Sequence, residues 1–239
     1  MRMRNLYVVL GLLIANSVNA AGPIRVAVID TGLASSAHVR ICANGHKDLI
    51  DPTGKTPVEA HGTNISGLIE QNAAGANYCQ IIIRWYKTGM TGEQSKMNLA
   101  LGVKLAIEAK ADVINISGGG VDPNELEHTY IKKALDKGIK IVVAAGNESH
   151  NLDASCNYYP ACYDKRIIVI GNVNQDGSRH WSTNYGKIVT HYVIGVNRCA
   201  EGICMTGTSQ ATAIVTGRMV RDMYVSANKK ANNRSISGH

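Results

Sequence analysis

The sequence of 239 residues contains no phenylalanine, and aromatic residues make up only 5% of it. Any core it forms is therefore aliphatic. No low-complexity linker or internal repeat interrupts the chain, which is long enough for one domain with a sizeable core and too short for two comfortable ones. No CxxC pair occurs among the six cysteines, which weakens a metal-binding reading. There is also no basic stripe interleaved with aromatics. Away from the N-terminus the cations are scattered, apart from Lys229, Lys230 and Arg234, so a nucleic-acid partner is not expected. At 45% hydrophobic and 18% charged residues, wholesale disorder is excluded.

Long hydrophobic runs are missing too. The apolar stretch Leu6–Ala15 has half the length, at about ten residues, that a helix needs to cross a bilayer. Arg2 and Arg4 precede it, and the small residues Val18-Asn19-Ala20 follow, which reads as an export signal over residues 1–20 rather than an anchor. A secreted or periplasmic protein beginning near Ala21 is expected, and cleavage would lower the formal net charge of +7 by two. In an oxidising compartment, Cys42, Cys79, Cys156, Cys162, Cys199 and Cys204 suit disulfides better than metal. Six cysteines allow 15 pairings. Cys156 with Cys162 and Cys199 with Cys204 are close enough to staple short loops, which would leave Cys42 with Cys79.

What the chain does have is alternation. Short β-branched runs, Ile24–Ile29, Ile81–Ile83, Val113–Ile116, Ile139–Val143 and Ile167–Ile170, read as strands buried on both faces. Between them lie helical patterns. Glu93–Ala109 places Met97, Leu101 and Leu105 on one face. Asp122-Pro123 reads as an N-cap and first helical position, before a helix burying Leu126, Tyr130 and Ala134 and stopping at Gly138. A third helix is expected from Thr208 to about Ala227, with residues 228–239 as a flexible tail. The fold class is therefore α/β, a three-layer, mainly parallel sheet with helices on both faces, in one domain over residues 21–227. In such sheets functional residues gather at the carboxyl ends of the strands.

Four residues stand at such places or at helix starts. Asp30 ends the first strand, His61 opens a helical stretch running to about Gln71, Asn147 follows the strand 141–145, and Ser209 opens the last helix. Singly, each is an ordinary turn or cap residue. Together, the order Asp, His, Asn, Ser resembles the subtilisin-like serine proteases (the subtilase family). The matching stretches are Val26–Gly32, His61–Gly67, Val113–Gly120, Val142–Glu148, Ser182–Gly186 and Gly207–Gly217. Chymotrypsin-like enzymes run His, Asp, Ser and α/β-hydrolases Ser, acid, His; Ala211 also breaks any GxSxG elbow.

The resemblance implies a serine endopeptidase acting through an acyl-enzyme: Ser209 as nucleophile, His61 as general base and then acid, Asp30 orienting the imidazole, and the Asn147 amide with the Ser209 N–H stabilising the oxyanion. It implies that Ser117-Gly118-Gly119 pairs with the substrate backbone as an added strand, and that Ala144-Ala145-Gly146 walls the main specificity pocket. Glu148, just beyond, hints at a basic side chain there. The expected partners are a protein or peptide substrate and a separate folding helper or inhibitor, with no nucleic acid and no stable membrane span, and the chain is expected to be a monomer.

Several positions depart from the family pattern. Asp30 lies ten residues past the proposed cleavage site, leaving no room for a folding prodomain, so the chain folds unaided, held by disulfides, or uses a separate helper. Gln71–Tyr78 is short and without acidic side chains, which gives no support to a structural calcium loop; no cofactor and no metal are expected. Gln210 stands where relatives often have Met, and Asn64 replaces a frequent second His. Asn-x-Ser triplets occur at Asn64, Asn115, Asn147 and Asn233; a glycan on Asn147 would bury the oxyanion donor. These departures motivate the alternative of a catalytically silent binding or scaffold protein on the same fold.

Overall fold

The computed structural model describes residues 22–236. The expected export signal lies outside the described residues. The centre is a seven-stranded, all-parallel sheet built from β1 (Ile24–Asp30), β2 (Ile41–Asp48), β3 (Tyr78–Arg84), β4 (Val113–Ile116), β5 (Lys140–Ala144), β6 (Ile168–Val173) and β7 (Val189–Ile194). Their order is β2-β3-β1-β4-β5-β6-β7. The chain leaves β1 to one side and later returns to the other, so the carboxyl end of β1 sits where a crevice forms in sheets of this kind.

Alternation within the strands makes two cores. Ala27, Ile29, Ile114, Ile116, Ile141 and Val143 point to one side, beneath α2 (Gly92–Glu108) and α3 (Glu125–Asp136). Val26, Val28, Val113, Val142 and Ile170 point to the other, beneath α1 (Ala60–Asn72) and α4 (Thr208–Ile236). The expected three-layer α/β architecture is what the chain forms. Phenylalanine is absent, and isoleucine fills most of the large, fully buried positions.

Some local expectations are corrected. The inward face of α2 is Leu99, Ala100, Val103 and Ala106, whereas Met97 is 45% exposed. The helix start explains the rotation: Thr91 caps it, its Oγ1 accepting from Gln94 N while Thr91 N donates to Gln94 Oε1. In α3, Asn124 rather than Asp122 is the N-cap, its side chain accepting from Glu127 N at 2.9 Å. That turns Glu127, Ile131 and Ala134 inward and leaves Leu126 and Tyr130 at the boundary. Finally, α4 continues through 228–236, where a tail was expected. Ala227, Lys229, Lys230 and Ala231 favour helix, and no Gly or Pro intervenes to stop it.

Three disulfides join Cys42 to Cys79, Cys156 to Cys162 and Cys199 to Cys204. The first ties edge strand β2 to β3. The third crosses a small hairpin of β8 (Arg198–Ala200) and β9 (Ile203–Met205), with the two cysteines directly opposite.

Candidate active site

Asp30, last residue of β1, is buried, and its Oδ1 accepts from Thr31 N at 2.7 Å. The same oxygen meets His61 Nδ1 at 2.7 Å. His61 reaches it because α1 begins almost in contact with the end of β1. A Cβ on Gly62 would lie 2.2 Å from Gly32 O, so only glycine permits that approach. Thr31 Oγ1 accepts from Gly62 N at 2.9 Å and locks the junction. With Nδ1 engaged by the carboxylate, Nε2 is left for chemistry. The Asp30 charge raises the His61 pKa above its ordinary value, against the opposing effect of burial, with a smaller contribution from Glu59.

Ser209 is the second residue of α4. Its Oγ donates to Ser117 O at 2.9 Å, and Ser117 Oγ donates back to Ser209 O at 3.2 Å. The hydroxyl is thus not bonded to His61 in this structure; rotation about χ1 would have to release it. Behind the pair runs a buried chain, with Thr216 Oγ1 donating to Asn115 Oδ1 at 2.9 Å and Asn115 Nδ2 to Ser117 Oγ at 3.0 Å. Ser117, Gly118 and Gly119 line one cleft of about 400 Å³ with Asp30, His61, Trp85 and Tyr86.

Asn147 follows Gly146, whose φ of +99° turns the chain sharply after β5. Asn147 Oδ1 accepts from Thr208 N at 3.0 Å and from Thr208 Oγ1 at 3.2 Å. A backbone donor fixes which end of the amide is oxygen. Nδ2 then has no acceptor among the described residues and stands beside the start of α4, where the first N–H groups, that of Ser209 included, lack helical acceptors.

The two glycine-lined segments face a residue that the sequence did not single out. Cβ atoms added at Gly119 and Gly146 would lie 2.8 and 2.6 Å from ring carbons of Tyr158, which is 6% exposed. Tyr158 thus occupies the space between the Ser117–Gly119 and Ala144–Gly146 walls. No motif marks it; only the fold brings it there, by the loop that Cys156–Cys162 closes. The Glu148 carboxylate, the suggested basic-side-chain determinant, accepts from Asn184 Nδ2 at 2.6 Å. Asn64 and Asn115 are fully buried, so neither triplet is open to a glycan in the folded chain. Among the described residues, no group of His, Cys, Asp or Glu is arranged to hold a metal ion.

Comparison with known proteins bears on this geometry. The sequence profile of the Subtilase family matches residues 22–237. Subtilisin E of Bacillus subtilis is 31% identical over 207 residues, covering 81% of this chain and 54% of that protein. Subtilisin of Bacillus pumilus is also 31% identical over 207 residues, covering 81% of this chain and 74% of that one. The chain spans about half the length of most such relatives. Among solved structures, a cold adapted subtilisin-like serine proteinase superposes with a TM-score of 0.68 at 22% identity, over 87% of this chain and 77% of that one. A lanthipeptide protease superposes with 0.72 at 18% identity, over 86% and 75%. At these identities the superpositions speak for the fold alone.

Proposed function

The chain belongs to the subtilase family, and on that footing we propose that it is an exported serine endopeptidase that hydrolyses peptide bonds through an acyl-enzyme. The observation that carries the reading is the 2.7 Å contact of His61 Nδ1 with the buried Asp30 carboxylate, on the crevice that Ser117 also lines.

In the proposed reaction, the peptide enters as an extended strand along Ser117–Gly119. The Ser209 hydroxyl turns from Ser117 O to His61 Nε2, gives up its proton there, and attacks the carbonyl carbon. The imidazolium is stabilised by Asp30, which remains ionised. The oxyanion accepts from Asn147 Nδ2 and the Ser209 N–H. His61 then passes its proton to the leaving amine, and water repeats the sequence to release the acid. Every step uses the chain's own groups.

The test needs no knowledge of the substrate. A fluorophosphonate applied to the purified protein is expected to leave one adduct, on Ser209, and none on the Ser209→Ala variant. A folded wild type that takes up no adduct would refute the reading and favour a silent scaffold.

A further inference from the structure

The sheet has two edges, and only one is guarded. β2 carries Asn44 in the left-handed region at φ +57°, a break in register against β3, and the charges of Lys47 and Asp48. Such features hinder a further strand from adding to an edge. β7 has no lysine, proline or glycine, and Thr190, His191 and Tyr192 are exposed. Its one irregularity lies at its start, where Thr190 Oγ1 accepts from Val169 N and donates to Val169 O, so His191–Ile194 is regular. One side of β7 pairs with β6, and no strand among the described residues pairs with the other.

Between β7 and α4 runs a groove of about 530 Å³, lined by Ile168, Val193, Val215, Met219 and Met223 and so largely apolar. Two charges, Arg218 and Asp222, also line it. Arg218 has no ion pair among the described residues, and Asp222 meets only Arg221 Nε, at 3.7 Å on the open surface. Val225, one turn beyond Asp222, is 44% exposed. Val215, Arg218, Asp222 and Val225 lie three or four residues apart, on one stripe of the helix.

We propose that this face binds a second copy of the chain, β7 pairing antiparallel with β7 of that copy in a twofold dimer. A twofold axis normal to the sheet reverses the strand and keeps the helices on one face, so α4 meets its copy antiparallel. His191 and Val193 share the groove with Met219 and Asp222, so an axis that halves β7 passes near the middle of residues 218–222. About that point, Arg218 of each chain stands opposite Asp222 of the other, and Val215 opposite Val225. The surface thus meets itself with apolar against apolar and charge against counter-charge, as an isologous contact requires. The monomer expected from the sequence took no account of this face, because only the fold sets α4 beside β7. Since the strands reverse across the axis, the carboxyl ends of the two β1 strands point away from each other. Both crevices stay open, at opposite ends of the pair.

The experiment is sedimentation of the Ser209→Ala protein, which on the protease reading cannot digest itself, over a range of concentrations. A monomer–dimer equilibrium is expected. Arg218→Asp or Asp222→Arg alone sets like charges in contact and should weaken dimerisation at least tenfold. The two changes together exchange the charges and should return the dissociation constant to within about threefold of the parent. Arg218 and Asp222 are exposed, so these changes leave the core untouched. Amides of residues 191–194 should exchange more slowly at high concentration than at low, in the parent but not in Arg218→Asp. A monomer at every concentration, which leaves the groove to some other occupant, would overturn the inference. So would a dimer indifferent to both charge reversals, or one that gives β7 no protection. Dimerisation needs no hydrolysis, and the adduct on Ser209 of the wild type decides the protease reading separately.

Discussion

Gln210 Nε2 donates to Asn64 Oδ1 at 3.1 Å, linking the residue after Ser209 to the residue three beyond His61. Asn64 Nδ2 in turn donates to Arg198 O at 3.1 Å and Ile203 O at 2.8 Å, gripping both strands of the β8–β9 hairpin. Two departures from the family pattern, far apart in sequence, are one buried network. Gln210→Met would strand the Asn64 oxygen in a dry site and should cost about 1–3 kcal/mol in urea unfolding. Paired with Asn64→Leu, it should cost less than the sum of the two single changes. Strict additivity would contradict a network.

His61 must be neutral to accept a proton, and the Asp30 charge raises its pKa above the ordinary 6.5. Activity is then lost as pH falls through that raised value. Asp30→Asn removes the charge, so the acid limb of the kcat/KM profile should move to lower pH. The rate itself should drop by roughly 10⁴, the size this exchange has in an unrelated triad enzyme.

Asn147 Oδ1 holds Thr208 N, its Nδ2 is the proposed oxyanion donor, and substitutions can separate the two. Asn147→Ala should lower kcat by about 10²–10³, a magnitude established on subtilisin rather than drawn from this chain. It should also cost about 0.5–2 kcal/mol, because Thr208 N at the start of α4 loses its acceptor. Asn147→Asp keeps the acceptor and loses the donor. Thermal melting near that of the wild type together with the kcat loss is the expected pattern.

Tyr158 fills the space between Gly119 and Gly146, so on the protease reading, with the specificity pocket between those walls, small residues should be favoured at the cleaved position. Tyr158→Ala should raise the leucine-to-alanine ratio of kcat/KM at that position by tenfold or more, the scale of about 1–3 kcal/mol of pocket contact. An unchanged ratio in the folded variant would place the specificity pocket elsewhere.

Burial of Glu127 affects stability. With the carboxyl held near 8 in the fold and near 4.5 in the unfolded chain, the folded state binds the extra proton between those values. Stability should therefore fall as pH rises through that window, by up to about 1.4 kcal/mol per unit. Urea midpoints for Glu127→Gln should lose that slope.

Five strands, β1 and β3 to β6, were legible because burial on both faces leaves β-branched runs, and Asp30, His61, Asn147 and Ser209 stood out through their order along the chain, each being an ordinary turn or cap residue by itself. The two edge strands were not: ICANGHKD and VTHYVI carry no such run, and they owe their places to pairing of β2 with β3, helped by Cys42–Cys79, and of β7 with β6. Nor was the inward turn of Glu127. A helix reader expects leucine inside, whereas the Asn124 cap fixes the rotation of α3 by two residues from that expectation. Tyr158 required the whole fold, because its two glycine neighbours come from different strand ends.

The helix that carries Ser209 follows every strand of the sheet in the chain, and it packs on β4, β5 and β6 and against α1. The proposed nucleophile, base and orienting acid thus come from residues 209, 61 and 30, and meet only after the strands between have found their places. On the protease reading, the hydrolytic centre is therefore a property of the assembled sheet and its helices, and no single segment of the chain carries it.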